Sequence, residues 1–242
     1  MKKTITILFA LLVLIIIFAG FAAASTQNES LQNIRVLDEN STVIGYNSNG
    51  TVYKIVCGNV SSNDTAIMIL GVHSLEGGIH NATYDVLMNL TKENKLNKKF
   101  IVYFIKINYN DSGLNTSDYD TNRHMGEMLA NKYVVPDVEK YDSYIVVDVH
   151  EMEEYWDNQR YVGVIDNKSS VTMEYAKKIS GKLGYPVYTI NAGTSPKWVT
   201  IPIAKKNHNV ILFETAQKDS QNNKTKTARD LVTTIDKLPV HA

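Results

Sequence analysis

The sequence predicts an α/β layered fold, a three-layer α/β/α sandwich around a mostly parallel mixed sheet. Three observations lead there. Short, continuous apolar runs recur along the chain, as strands covered on both faces require. Between them lie stretches whose apolar residues fall near helical spacing. The two kinds then alternate, which is the order of crossover connections in a parallel sheet. The 242 residues, 44% hydrophobic and 21% charged, suit one domain around a single core.

The elements follow in order. Residues 51–58, TVYKIVCG, read as a strand, with Cys57 a buried strand residue rather than a nucleophile. Residues 65–72, TAIMILGV, form a continuous apolar run, hence a doubly covered strand. The spacing over 81–94, NATYDVLMNLTKEN, predicts a helix, and KFIVYFIKIN at 99–108 is β-branched and aromatic, hence a strand. NRHMGEMLANKY at 122–133 reads as helix, SYIVVDV at 143–149 and RYVGVID at 160–166 as strands. SSVTMEYAKKISGKLG at 169–184 has a Ser cap and a closing glycine, the start and stop of a helix. PVYTI at 186–190 and NVILFE at 209–214 are strands, and KTARDLVTTIDKL at 226–238 is a final helix.

The N-terminus departs from this pattern. Two lysines precede an uncharged stretch from Thr4 to Ala24 that ends in small residues. Residues 1–25 therefore read as a signal peptide or an uncleaved membrane anchor. Residues 26–48 read as a polar linker and 49–242 as the folded domain. Either fate of the leader puts the domain outside the cytoplasm, secreted or anchored to the outer face of the membrane. Asn-x-Ser/Thr occurs at Asn28, Asn40, Asn49, Asn59, Asn63, Asn81, Asn89, Asn110, Asn115, Asn167 and Asn223. Chance placement would give about three, so a glycosylated surface protein is expected. With 25 basic and 25 acidic residues there is no electrostatic footprint for nucleic acid. One cysteine excludes an intrachain disulfide.

The candidate chemistry lies after the buried runs. IMILGV is followed by His73 and Glu76, IVVDV by His150, and VILF by Glu214. In layered sheets ligands bind beyond the carboxyl ends of the strands. Two imidazoles and a carboxylate can hold a catalytic Zn2+, one per chain, and a free carboxylate can serve as base. Each residue also has an ordinary reading: His73 as a helix cap, Glu76 as a first-turn acid favoured by the helix dipole. Glu214 is hardest to explain that way, since it ends a run apolar enough to make an unpaired carboxylate costly. Two other His-x-x-Glu spacings, His124 to Glu127 and His150 to Glu153, are set aside, the first because it lies inside a helix. Asp148 is placed to orient the His150 ring.

In GVHSLEGG, TNRHM, VVDVHE and ILFETA the sequence resembles the zinc carboxypeptidases and the compact succinylglutamate desuccinylases and aspartoacylases. The turn INYND and the loop AGTSPKWVT are weaker matches. The resemblance covers roughly residues 51–216 and implies a carboxypeptidase-like fold. It implies His73, Glu76 and His150 as metal ligands and Glu214 as general base and acid. It implies Asn122 and Arg123 as binders of the substrate carboxylate, Arg123 also as a catalytic group, and Tyr188 as a substrate-binding tyrosine. The chain departs from the family in having no Arg between His73 and Asn122, where carboxypeptidases carry the group that polarises the scissile carbonyl. The expected substrate is a small peptide or an N-acyl amino acid. The alternatives are a surface binding or adhesin-like module on the same fold, and a cell-wall amidase.

Overall fold

The computed structural model describes residues 41–108, 119–165, 169–191, 193 and 195–241. The N-terminal leader, residues 26–40 and most of the 107–111 turn lie outside these, as do Asn28, Asn40, Asn110, Asn115 and Asn167. Among the described residues no helix is long and apolar enough to cross a membrane.

Strands β1 (Ser41–Asn47), β2 (Gly50–Gly58), β3 (Thr65–Leu70) and β4 (Lys99–Ile107) precede β5 (Ser143–Met152), β6 (Tyr161–Ile165), β7 (Val187–Ile190) and β8 (Val210–Ala216). They form one sheet in the order β1-β2-β4-β3-β5-β8-β6-β7. Its centre is parallel, β4 with β3, β3 with β5 and β5 with β8. The flanks are antiparallel at β1–β2, β2–β4 and β6–β8. All six residues of β3 are buried, as its unbroken apolar run requires.

Four longer helices flank the sheet: α1 (Gly77–Lys92), α2 (Tyr119–Leu129), α3 (Ser170–Leu183) and α4 (Gln221–Asp236). On one face Ile67 and Ile69 of β3 join Tyr103 and Ile105 of β4 against Leu129, Ala130, Val134 and Val138, with Val199 and Ile203 beside them. On the other, α1 buries Val86, Leu87 and Leu90, and α4 buries Leu231, Val232 and Ile235. Each such side chain contributes about 1.5–3 kcal/mol on leaving water. The result is the expected three-layer sandwich. From β3 the chain crosses through α1 to β4 on one side and then through α2 to β5 on the other. The order reverses at β3, which opens a crevice at the carboxyl ends of the central strands.

Several boundaries differ from expectation, each for a physical reason. Residues 41–47, read as the end of a polar linker, form edge strand β1, in which only Gly45 is buried, so its composition is polar. Helix α1 begins at Gly77 rather than 81, because its glycine pair, unfavourable to a helix alone, is held by tertiary contacts. Helix α4 begins at Gln221 under a Ser220 cap rather than at 226, and its polar first turn buries Lys224 by pairing it. Strand β5 runs past 149 to Met152, since His150 and Glu151 continue the ladder with Glu214 and Thr215. Helix α3 matches its caps: Ser169 accepts from Thr172 N–H, and Gly184 ends it at φ 73°. Cys57 is buried in β2.

Candidate metal centre

After β3 the chain makes one helical turn, Ser74–Glu76, before entering α1. That turn sets His73 Nδ1 2.7 Å from Glu76 Oε1. His150 stands on β5 opposite Glu214 of β8, which faces Tyr161 of β6 on its other side. Directly opposed residues share a sheet face, so these three side chains form one row. His150 Nδ1 lies 2.9 Å from Glu76 Oε2 and 3.2 Å from His73 Nδ1. All three ligand candidates are buried.

The outer nitrogens of both rings meet carboxylates. His73 Nε2 is 3.0 Å from Glu127 Oε1, and His150 Nε2 is 3.0 Å from Asp148 Oδ1. Glu127 reaches His73 because α2 crosses close to the loop after β3; a Cβ at Gly126 would stand 1.9 Å from the Val72 carbonyl oxygen. Asp148 also accepts from the Ser195 and Thr200 hydroxyls at 3.0 and 3.1 Å. Arg123 Nη1 donates to Glu76 Oε1 at 3.0 Å and to Glu153 Oε1 at 3.3 Å. The Glu151 backbone N–H donates to Glu76 Oε2 at 3.0 Å.

Burial works against the charge on Glu76, but His73 and His150 outweigh it and hold its carboxyl well below the usual range. Burial likewise disfavours imidazolium at His150, yet Asp148 and Glu76 raise its pKa well above the ordinary value. Glu214 is moved the other way from Glu76. Burial pushes its carboxyl well above the usual range, Glu76 and Asp148 add to the shift, and His150 and Arg123 only partly offset it. Glu214 Oε2 is buried with no hydrogen-bond partner among the described residues.

The donor set fits a divalent metal. Each ring meets a carboxylate at both nitrogens; with a metal on the Nδ1 side, Glu127 and Asp148 would accept the Nε2 protons and leave each Nδ1 to the metal. The two Nδ1 atoms and the Glu76 carboxylate face one another in a buried space, where a divalent cation can take the place of ring protons. His73, Glu76 and His150 each offer an atom within 4.8 Å of the others. The closest separations, 2.7 to 3.2 Å, approach the roughly 3.3 Å between ligands of a tetrahedral zinc ion. The histidine–carboxylate contacts outside the set are what fix such rings in place.

A cleft of about 840 Å³ opens beside this cluster. His73, Arg123, Glu214 and Tyr188 line it together with Glu153, Trp156 and Tyr161. Thus the structure brings together seven of the eight residues singled out from sequence: His73, Glu76, His150, Asp148, Arg123, Glu214 and, at the cleft wall, Tyr188. Asn122 is placed differently: it is fully buried, and both its side-chain polar atoms lack a partner among the described residues. Sequence reasoning missed Glu127 and Glu153, which belong to the two His-x-x-Glu spacings it set aside. The helix that argued against Glu127 is the element that delivers it. Ser195 and Thr200 carried no signal of their own, since hydroxyls near a proline are common in loops.

No protein-family model matches this sequence, and no curated protein does. Solved structures match in fold. The chain is similar to a succinylglutamate desuccinylase/aspartoacylase from Rhodobacter sphaeroides, at 15% identity and TM-score 0.56, over 82% of this chain and 63% of that one. It is similar to a metallo-carboxypeptidase from Burkholderia cenocepacia, at 8% identity and TM-score 0.52, over 86% of this chain and 66% of that one. It is also similar to the Cell Shape Determinant protein Csd4 from Helicobacter pylori, at 11% identity and TM-score 0.52, over 78% of this chain and 56% of that one. The chain thus spans 56% to 66% of the length of these structures. At such identities the likeness shows the fold, which is carboxypeptidase-like.

Proposed function

We propose that this chain is an extracytoplasmic zinc-dependent hydrolase. Its substrate carries an amide bond next to a free carboxylate, in a peptide C-terminus or an N-acyl amino acid. One observation carries the reading: the ligand atoms of His73, Glu76 and His150 converge beside the buried Glu214, whose Oε2 has no hydrogen-bond partner among the described residues, at a cleft. A binding protein has no use for that last group, which costs several kcal/mol to bury unpaired. Zinc held by these three residues supplies Lewis acidity toward a carbonyl and lowers the pKa of water. Glu127 and Asp148 would then hold the two rings through Nε2–H, with each Nδ1 turned to the metal. Glu214 takes a proton at its carboxylate and returns it to the departing amine. Burial raises its pKa, and a metal cation nearby would lower it again.

Arg123 is the guanidinium on the cleft wall, and its contact with Glu76 keeps it beside the metal ligands. It can grip a substrate carboxylate or polarise the scissile carbonyl. A peptide-like substrate is supported by the Helicobacter Csd4 structure, solved with a tripeptide bound. Zinc-loaded protein is expected to hydrolyse members of a panel of free-acid peptides and N-acyl amino acids, to stop with a chelator and to resume with added zinc. Inactivity across that panel with zinc bound would favour the binding module.

Arg123→Lys is expected to weaken free-acid substrates about 10–100-fold, because an ammonium cannot reproduce the guanidinium fork. Amidated substrates should be poor for the parent and change little. Equal turnover of acid and amide by the parent would show that Arg123 does not select a carboxylate.

The extracytoplasmic placement rests on the leader and on the excess of glycosylation sequons. Asn59, Asn63, Asn81, Asn89 and Asn223 are exposed, and none of them lines the cleft. Protease added to intact cells should digest the domain, and glycosidase should reduce its mass. Digestion only after permeabilisation would refute the placement.

A further inference from the structure

Beneath the metal cluster, on the opposite face of β5, lies a buried ion pair that the proposed chemistry does not use. Lys224 Nζ of α4 is 2.7 Å from Glu151 Oε1, with side chains 8% and 1% exposed. Glu151 Oε1 also accepts the Ile79 N–H at 2.6 Å, in the first turn of α1. Lys224 Nζ donates to the Gln217 carbonyl at 2.9 Å, and Gln217 Nε2 donates to the Leu75 carbonyl at 3.3 Å. Glu151 therefore grips the Glu76 segment twice: its backbone N–H holds the Glu76 carboxylate, and its side chain holds the turn that follows.

Stability alone does not account for this pair. Desolvating both charges costs about as much as their attraction returns, and apolar residues of the same size commonly serve a fold as well or better. A cation near the N-terminus of α4 also opposes the helix dipole. We infer that Glu151 and Lys224 are positioning residues, which fix Glu76 as a metal ligand by strapping the His73–Gly78 segment to β5 and the C-terminal helix. This rests on the metal reading above.

The paired glycines of the motif provide the test. A Cβ at Gly78 would stand 2.4 Å from Lys224 Nζ and 2.8 Å from Glu151 Oε1, whereas one at Gly77 would meet only Asn81 Nδ2, at 3.7 Å. Both positions are helical, so Ala suits the backbone at either. Gly78→Ala pushes the pair apart without deleting a charge. The measurements are the zinc dissociation constant, by competition with a chromophoric chelator, and the thermal midpoint of the metal-free protein, for the parent, Gly77→Ala, Gly78→Ala and Lys224→Met. Gly78→Ala and Lys224→Met should bind zinc about 10–100-fold more weakly, the usual cost of losing an outer support. Gly77→Ala should bind as the parent does. Gly78→Ala should also lower the metal-free midpoint, since the separated charges stay buried, so zinc is titrated at a temperature where every metal-free variant is folded. Parental zinc affinity in Gly78→Ala overturns the inference and leaves the metal site standing. A parent that takes up no zinc removes the metal reading, and this inference with it.

Discussion

Glu214→Gln is expected to lower hydrolysis about 10²–10⁴-fold while zinc content and fold stay as in the parent. The amide keeps the shape of the side chain and cannot accept a proton. Glu214 stands in register with His150 and is bracketed by Tyr161, so the substitution changes chemistry at one point of a rigid row. Substrate affinity should change far less, because the ligands and Arg123 remain. Zinc content and turnover must come from the same preparation. A variant as active as the parent removes Glu214 from the mechanism. The metal-free variant should also gain stability at neutral pH relative to the parent, since Gln carries no charge to bury.

His73→Ala and His150→Ala are expected to weaken zinc binding by more than about 100-fold, beyond the loss typical of outer supports. Each removes one of three ligand groups and leaves Glu76 with a single imidazole. The pH dependence has a definite sign. His150 binds its proton more tightly folded than unfolded, so its contribution to the metal-free fold is complete below its ordinary value of 6.5 and is lost as pH rises through the raised value. Glu214 behaves alike from 4.5 upward, while Glu76, shifted down, contributes above 4.5 and loses that contribution on acidification. Zinc takes the place of the proton at His150 Nδ1. The stabilisation it gives should therefore grow as pH rises from 6.5 toward the raised value of His150. Thermal midpoints with and without zinc read this directly; an increment that shrinks with rising pH would mean His150 is not a ligand.

The sequence by itself determined the layers and the candidate ligands. Unbroken apolar runs such as TAIMIL can only be strands covered on both faces, and the polar residues after them must emerge at a sheet edge. That placed His73, Glu76, His150 and Glu214 from periodicity alone. The tertiary structure decided everything that depends on which element lies beside which. Glu127 is 54 residues from His73, and nothing in its helical spacing signals the crossing of α2 over Val72. Arg123 was legible as a cation, but its position against Glu76 and Glu153 comes from packing, and Asn122 next to it turns inward. Nothing in the stretches NNKT and HEME signals that Lys224 and Glu151 meet. Side-chain chemistry is local and survives in the sequence; proximity is set by the closure of the core, where residues far apart in the chain are forced together by the exclusion of water.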